Sequence, residues 1–319
     1  MSKKVLVTGA NGFLGTAVIK KLSEETKYDI LPANGKAKWD LTNKKYVDCM
    51  LAHYQPDIVV HLAARVGGIQ ANKENPGLFF YENLIMGVNL IEACRQYDKL
   101  ENFVMAGTVC AYPKFTPVPF NEDDIWNGFP EETNAPYGIA KKTLMQMLIA
   151  YKQQYNFNCV NLIPVNMYGP NDNFDPRISH VIPALILKYK RAIIKKEDVV
   201  EIWGTGNASR EFLYVDDCAE AIVKSITANV SPEPINIGTG NEINIRDLAS
   251  LIGKEMGYTG SIQFNSNFPD GQPRRCLDTN RAKSLLGFQA KTSFMDGIKY
   301  TVEWFNQNEG RFNDYINNF

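Results

Sequence analysis

The sequence predicts an α/β fold: a doubly wound parallel sheet with a smaller C-terminal α/β substrate-binding domain. Three observations carry that expectation. Short apolar runs alternate with helical patterns through the first half of the chain, a glycine-rich turn joins the first run to the first helix, and after Asn166 the pattern changes to loops. The runs 5–8, 29–33, 57–64, 102–107 and 160–165 are short and almost continuously apolar, as strands covered on both faces must be. Between them, residues 12–25, 46–53, 76–97 and 137–155 repeat their apolar side chains at three- and four-residue spacing, which predicts helices.

Residues 168–175 are rich in Gly, Pro, Asn and Asp, and a helix is expected over 179–190. The stretches 212–215, 216–227 and 234–237 regain core-sheet character, so the chain is expected to cross back. The resulting division places 1–166 with 211–238 in a dinucleotide-binding domain, and 167–210 with 239–319 in a substrate-binding domain. There are no internal repeats and no low-complexity tract.

At 319 residues and 45% hydrophobic content the chain can bury a core without metal or disulfide staples. A formal charge of −1 with interspersed signs gives no field for nucleic acid and no polybasic membrane patch, which leaves a small molecule as the expected partner. The cysteines at 49, 94, 110, 159, 218 and 276 form no Cys-x-x-Cys pair and have no His at zinc-ligand spacing. They read as reduced thiols. Met1-Ser2-Lys3-Lys4 passes straight into the first strand, and no apolar run approaches the ~18 residues of a membrane span, so a cytoplasmic protein is expected.

Gly9-Ala-Asn11-Gly12-Phe13-Leu14-Gly15 follows a strand and opens a helix, the context of a Rossmann-type dinucleotide fingerprint. The first glycine makes the turn, the second lets a pyrophosphate approach the backbone, and the helix N-terminus faces the anion. Residues 31–34 supply no carboxylate for a ribose 2′-hydroxyl, whereas Lys36 and Lys38 follow at once. A 2′-phosphate suits those lysines, so NADPH/NADP+ is expected over NADH. By position, Asp40 and Leu41 are expected near the adenine, and Ala63 beside the cofactor.

Tyr137 and Lys141 are four residues apart on an expected helix, hence on one face, where an ammonium can lower a phenol's pKa. Thr108 adds a hydroxyl and Cys110 a second proton-transfer group, which a plain reductase does not need. His53 and His61 read as structural.

These residues resemble the extended short-chain dehydrogenase/reductase family, and within it the enzymes that epimerise and reduce GDP-4-keto sugars. The likeness runs over essentially the whole chain. Its most specific pieces are Arg65-Val-Gly-Gly-Ile69, Cys110-Ala-Tyr-Pro-Lys114, Tyr168-Gly-Pro-Asn-Asp-Asn-Phe174, Ser179-His-Val-Ile-Pro-Ala184 and Arg210-Glu-Phe-Leu-Tyr-Val-Asp-Asp217. The resemblance implies a Thr108, Tyr137, Lys141 reductase triad and a Cys110, His180 pair as epimerase base and acid, with His180 also touching the cofactor. It further implies that Asn166, Lys188, Trp203 and Arg210 hold a GDP-sugar, that the segment 269–275, with Asp270 and Arg275, closes over it, and that the protein is a homodimer paired through the helices 76–97 and 137–155.

Thr108 stands where the family more often has Ser, Val109 where a second small hydroxyl residue is usual, and Arg177 and Ile178 depart from the pattern before His180. Thr108 keeps the hydroxyl that the reductase triad needs, and the departures bear on the sugar pocket and the epimerase pair. A reductase without epimerase activity, acting on a GDP-4-keto hexose or heptose, is the alternative. Related dehydratases carry an Asp-Glu pair where this chain has Val109 and Cys110; 4-epimerases hold NAD and need no Cys/His pair. A non-catalytic NADP(H)-binding regulator would have no need of Tyr137 and Lys141.

Overall fold

The computed structural model describes residues 2–33, 35–268 and 270–318; Asn34 and Pro269, on which two of the expectations above partly fall, lie outside the described residues. Its elements run β1 (Lys3–Thr8), α1 (Phe13–Ser23), β2 (Tyr28–Ala33), α2 (Lys44–Tyr54), β3 (Ile58–His61), α3 (Ile69–Glu74), α4 (Pro76–Gln96), β4 (Asn102–Ala106), α5 (Ala135–Tyr155), β5 (Cys159–Pro164), β6 (Asn166–Tyr168) and α6 (Val181–Lys195). There follow β7 (Val199–Trp203), β8 (Ser209–Tyr214), α7 (Val215–Ser225), β9 (Ile235–Ile237), β10 (Glu242–Asn244), α8 (Ile245–Glu255), β11 (Ser261–Asn265), α9 (Asn280–Leu286), α10 (Phe294–Gln307) and α11 (Asn313–Asn318).

The large sheet has the order β2-β1-β3-β4-β5-β9, with every pair parallel. Its central strands β3, β4 and β5 are buried at every position, because helices cover both faces: α1 packs on α7 on one side, and α4 packs on α2 and α5 on the other. The α4–α5 contact is close enough that a Cβ at Gly87 would overlap the Leu144 side chain. Strand order reverses between β1 and β3, which places the ligand crevice of such a sheet above the C-terminal ends of those strands.

The expected strand 57–64 stops at His61, since the Ala63 amide leaves the ladder and donates to Thr8 Oγ1 at 3.3 Å. The expected helix at 179 begins instead at Val181, with His180 as its extended N-cap residue, and continues to Lys195. A larger difference concerns 212–215. These residues end β8 and open α7, and β8 joins β6 and β10 in a separate three-stranded sheet rather than the large one. The chain leaves the large sheet at Val165, whose amide still bonds Ile237 O at 3.0 Å, and the very next residues, β6, recruit β8. The return to the large sheet is made by β9.

Two apolar cores result. The larger surrounds the six-stranded sheet and also takes in Leu277, Ala282, Leu286 and Phe288; the smaller is built on Tyr168, Phe174, Ile186, Tyr189, Phe212, Ile252 and Phe305. The cleft between β4, α5, α6 and β8 holds the chemistry-bearing side chains.

Candidate active site

Gly9 leaves β1 with φ +70, a conformation open to glycine, and its carbonyl accepts from the Gly12 amide at 3.0 Å. A Cβ at Gly9 would stand 2.7 Å from the Ala63 nitrogen, and one at Gly15 would overlap the Gly9 carbonyl oxygen. The turn, the first helical turn of α1 and the segment after β3 are therefore packed backbone against backbone. Gly12 caps α1 without a side-chain hydrogen bond, so the amides of the first turn face outward for an anion. Asn11 is exposed at the rim, while Phe13 and Leu14 pack on the larger core. The cradle fits a dinucleotide's pyrophosphate.

The two lysines expected at the cofactor part company. Lys36 Nζ donates to Glu82 Oε1 at 3.1 Å, whereas Lys38 Nζ lies 5.2 Å over the Trp39 ring. The second cation on Glu82 is Arg65, whose Nη1 donates to Oε2 at 3.0 Å. Burial raises the Glu82 pKa, but the two cations outweigh it and hold the carboxyl below its ordinary range. Asp40 Oδ1 accepts from the Thr42 amide and hydroxyl, and Leu41 is buried in the core.

Thr108 emerges directly after β4 and caps a short 3-10 turn, Val109–Ala111, with Oγ1 accepting from the Cys110 amide at 3.2 Å. Tyr137 lies in the first turn of α5 with its phenol hydrogen-bonded to Thr108. Lys141, one turn on, is 1% exposed and donates Nζ to Ala106 O at 3.0 Å. Burial lowers the Lys141 pKa to about 8. The Tyr137 phenol is shifted upward, chiefly by burial and then by Cys110, with the Thr108 hydrogen bond acting the other way. This corrects the expectation of a phenol pKa lowered by Lys141: desolvation of the phenolate dominates, and the ammonium is directed at Ala106. Tyr137 is thereby kept as a proton donor. His61, on the neighbouring strand, is held neutral, its pKa lowered to about 3 by burial and by Lys141, and its Nδ1 lies 2.8 Å from Thr8 Oγ1.

Cys110 is held tightly against α5, since a Cβ at Gly138 would overlap its carbonyl oxygen. Its Sγ accepts from Arg275 Nη1 at 3.8 Å. His180 lies in the same cleft: solvent reaches it, yet surrounding protein and, after that, the Arg275 charge lower its imidazole pKa. The segment before it rests on the loop after β3, with the Gly68 amide donating to Ile178 O at 2.9 Å. Of the departures noted in the sequence, Thr108 lines this cleft, whereas Val109 and Arg177 point away from it. Val109 is in the larger core, and Arg177, with a side chain 80% exposed, pairs with Asp175.

Arg210 extends from β8 and donates Nη2 to Asp270 O at 3.1 Å; burial, then Arg275, lowers its pKa to about 10. Asp270 is fixed by the Thr205 amide at 2.7 Å and hydroxyl at 2.8 Å. Arg275 is fixed by Gln272, which accepts its Nη2 at 3.1 Å and donates to Lys114 O at 3.1 Å. Asn166 donates Nδ2 to Glu211 O at 3.2 Å. At the far end Trp203 stacks on Phe268 with centroids 4.3 Å apart and planes within 9°, and Lys188 Nζ lies 5.4 Å over the same indole.

The sequence reading missed Gln272, Glu82 and Glu211. The Glu211 carboxylate is fully buried and accepts from the amides of Thr239 at 2.5 Å, Gly240 at 2.8 Å and Leu277 at 2.6 Å. The one available signal was that Gln272 and Glu211 lie within segments singled out for other residues.

The NAD dependent epimerase/dehydratase family model matches residues 5–238. The chain belongs to that family. Among its relatives, GDP-L-fucose synthase of Sinorhizobium fredii is 39% identical over 306 residues, covering 96% of each chain. A GDP-6-OMe-4-keto-L-xylo-heptose reductase from C. jejuni superposes with TM-score 0.89 at 27% identity, over 96% of this chain and 98% of that one. A GDP-L-fucose synthetase from Naegleria fowleri bound to NADP superposes with TM-score 0.87 at 27% identity, over 97% and 95%. Among the described residues no His, Cys, Asp and Glu group is placed to hold a metal ion, and no helix is long and apolar enough to cross a membrane.

Proposed function

We propose that this protein is an NADPH-dependent nucleotide-sugar oxidoreductase that reduces C4 of a GDP-4-keto-deoxy sugar after epimerising it at C3 and C5. The observation that carries the reading is the meeting, in one cleft, of the Thr108–Tyr137 hydrogen bond, the buried Lys141 and the Arg275–Cys110 contact. The family and the GDP-sugar enzymes among its relatives supply the substrate class.

A 4-keto group acidifies the C–H bonds at C3 and C5. Cys110 removes a proton from one face of the ring and His180 returns one to the other, since inversion needs opposite faces. NADPH, when bound, supplies hydride to C4. Tyr137 gives its proton to the resulting alkoxide while Thr108 donates a hydrogen bond to the same oxygen. Arg210 and Arg275 offer guanidinium forks to the diphosphate, and Trp203 offers an apolar ring face to the base.

The division of labour has 1–166 with 211–238 holding the cofactor and the remainder holding the sugar nucleotide. Phe80 and Tyr81 on α4 and Tyr155 on α5 are large exposed side chains that support a homodimer paired through these helices, which light scattering tests. The cysteines form no disulfide, which supports a reducing, cytoplasmic location.

The decisive experiment follows NADPH absorbance with GDP-4-keto-6-deoxy-mannose and identifies the product by NMR. A product inverted at C3 and C5 and reduced at C4 supports the full reading. Reduction without inversion gives the reductase-only alternative. No turnover with this or a GDP-4-keto heptose, despite NADPH binding, points to the non-catalytic regulator.

A further inference from the structure

Glu82, on α4, carries two cations from two different loops. Lys36 follows β2 and Arg65 follows β3, the strands on either side of β1 in the sheet. β1 ends in the Gly9 turn, and the segment after β3 is packed onto that turn at Ala63. Both cations therefore follow the strands that flank β1, on the sheet edge where β1 ends in the Gly9 turn and where a doubly wound sheet receives a dinucleotide.

Arg65 is anchored more firmly than its exposure suggests. The buried Asn83 accepts from the Arg65 amide at 2.9 Å and donates to its carbonyl at 2.9 Å, while donating also to Phe79 O at 2.7 Å. The backbone that launches the guanidinium is thus fixed to the same helix as Glu82. The Glu82 side chain is only 16% exposed, against 46% for Arg65 and 63% for Lys36. A covered carboxylate between two accessible cations has the charge and the two-oxygen face that a phosphate monoester would bring to the same pair.

The geometry points to Arg65 as the partner of Lys36 in receiving the cofactor's 2′-phosphate, with Glu82 as the internal anion that the phosphate displaces. Glu82 then works in two directions. It holds both cations at the ribose in the absence of ligand, and it competes with the phosphate for them. A 2′-hydroxyl does not displace it, so NADH leaves the Glu82 pairs intact. Selectivity between the two cofactors thus rests on three residues from three elements, and Lys38 takes no part.

This inference rests on the cofactor assignment made above, and the test separates the two. Dissociation constants for NADPH and NADH, and for the fragments 2′,5′-ADP and 5′-AMP, are measured by titration calorimetry on the parent, Arg65→Ala, Arg65→Lys and Glu82→Gln proteins, with thermal unfolding as a fold check. Arg65→Ala is expected to weaken NADPH and 2′,5′-ADP at least tenfold and to leave NADH and 5′-AMP within twofold; Arg65→Lys should recover part of the loss. Glu82→Gln is expected to tighten 2′,5′-ADP severalfold without tightening 5′-AMP. Equal losses for phosphorylated and unphosphorylated ligands in Arg65→Ala, or a weaker 2′,5′-ADP in Glu82→Gln, overturn the inference. Should Arg65→Ala fail the fold check, Arg65→Lys and Glu82→Gln decide it on the same ratios. A parent protein that binds neither dinucleotide overturns the cofactor assignment itself, and this inference with it.

Discussion

Arg275 Nη1 lies 3.8 Å from Cys110 Sγ, so a guanidinium 165 residues away in sequence meets the thiol proposed to take the sugar's proton. Burial and then the same charge lower the His180 pKa. One cation is thus shared by the thiol, the imidazole and the proposed diphosphate site. Its fork is set by Gln272, which also grips Lys114 O, four residues beyond Cys110.

Tyr137→Phe should lower the hydride-transfer rate about 10²–10⁴-fold, the usual contribution of a positioned general acid, and leave NADPH affinity nearly unchanged. Single-turnover decay of NADPH absorbance on mixing with the keto sugar measures it. A rate within a few-fold of the parent would remove Tyr137 from the proposed role.

The Lys141 pKa of about 8 sets an alkaline limb. Its charge is lost as pH rises through 8; with that ammonium proposed to hold the nicotinamide ribose hydroxyls, kcat/KM for reduction should fall above that pH in the parent. For stability the sign is the reverse of a salt-bridged lysine: the unfolded chain keeps the proton up to about 10.5, so the cost of burying the charge is full below pH 8 and is relieved between 8 and 10.5. Lys141→Met should be inactive. It should lose the pH-dependent part of the stability in that window, as read by denaturant titrations at pH 7 and pH 10.

Incubation of a GDP-4-keto-6-deoxy sugar in deuterated water, with cofactor withheld, should place deuterium at C3 and C5, and Cys110→Ser should suppress that exchange at least tenfold. Mass spectrometry of the recovered sugar reads the result. No incorporation by the parent, with C4 reduction intact, would reduce the function to the reductase alone.

Gly138→Ala should destabilise the protein by about 1–3 kcal/mol, because the new methyl has to displace the Cys110 carbonyl from α5. Thermal unfolding and both partial reactions are the measurements. Exchange and reduction should fall together here, whereas Cys110→Ser separates them.

The apolar runs and the glycine turn made the large sheet legible, because a parallel strand buried on both faces has no polar alternative. Which sheet a strand joins is not written in its own residues. Phe212 and Tyr214 look like core whether they pair with β5 or with β6, and only the immediate continuation of β5 into β6 decides between them. In the site, Tyr137 and Lys141 were legible from local geometry alone. Lys36 and Lys38 read alike in the sequence, because a loop position fixes that a charge is present but not where it points; the one reaches Glu82, the other lies over Trp39. Glu82 and Glu211 act through partners 17 to 66 residues distant, and Gln272 ties Arg275, three residues on, to Lys114, 158 residues back, so no local pattern marks them.

The three amides gathered by Glu211 also set an order of events during synthesis. The residues proposed for reduction are complete once Lys141 has emerged, but Glu211 obtains Thr239 and Gly240 only later, and Leu277 later still. Until that last amide arrives, a buried acid beside Arg210 is short of a donor, and the segment carrying Arg275 is tied to Glu211 only through the Arg275 carbonyl, which accepts from the Glu211 amide at 3.0 Å. A nascent chain halted before residue 277 would therefore carry the residues proposed for reduction while the segment proposed to close over the sugar nucleotide still lacked one of its ties to Glu211.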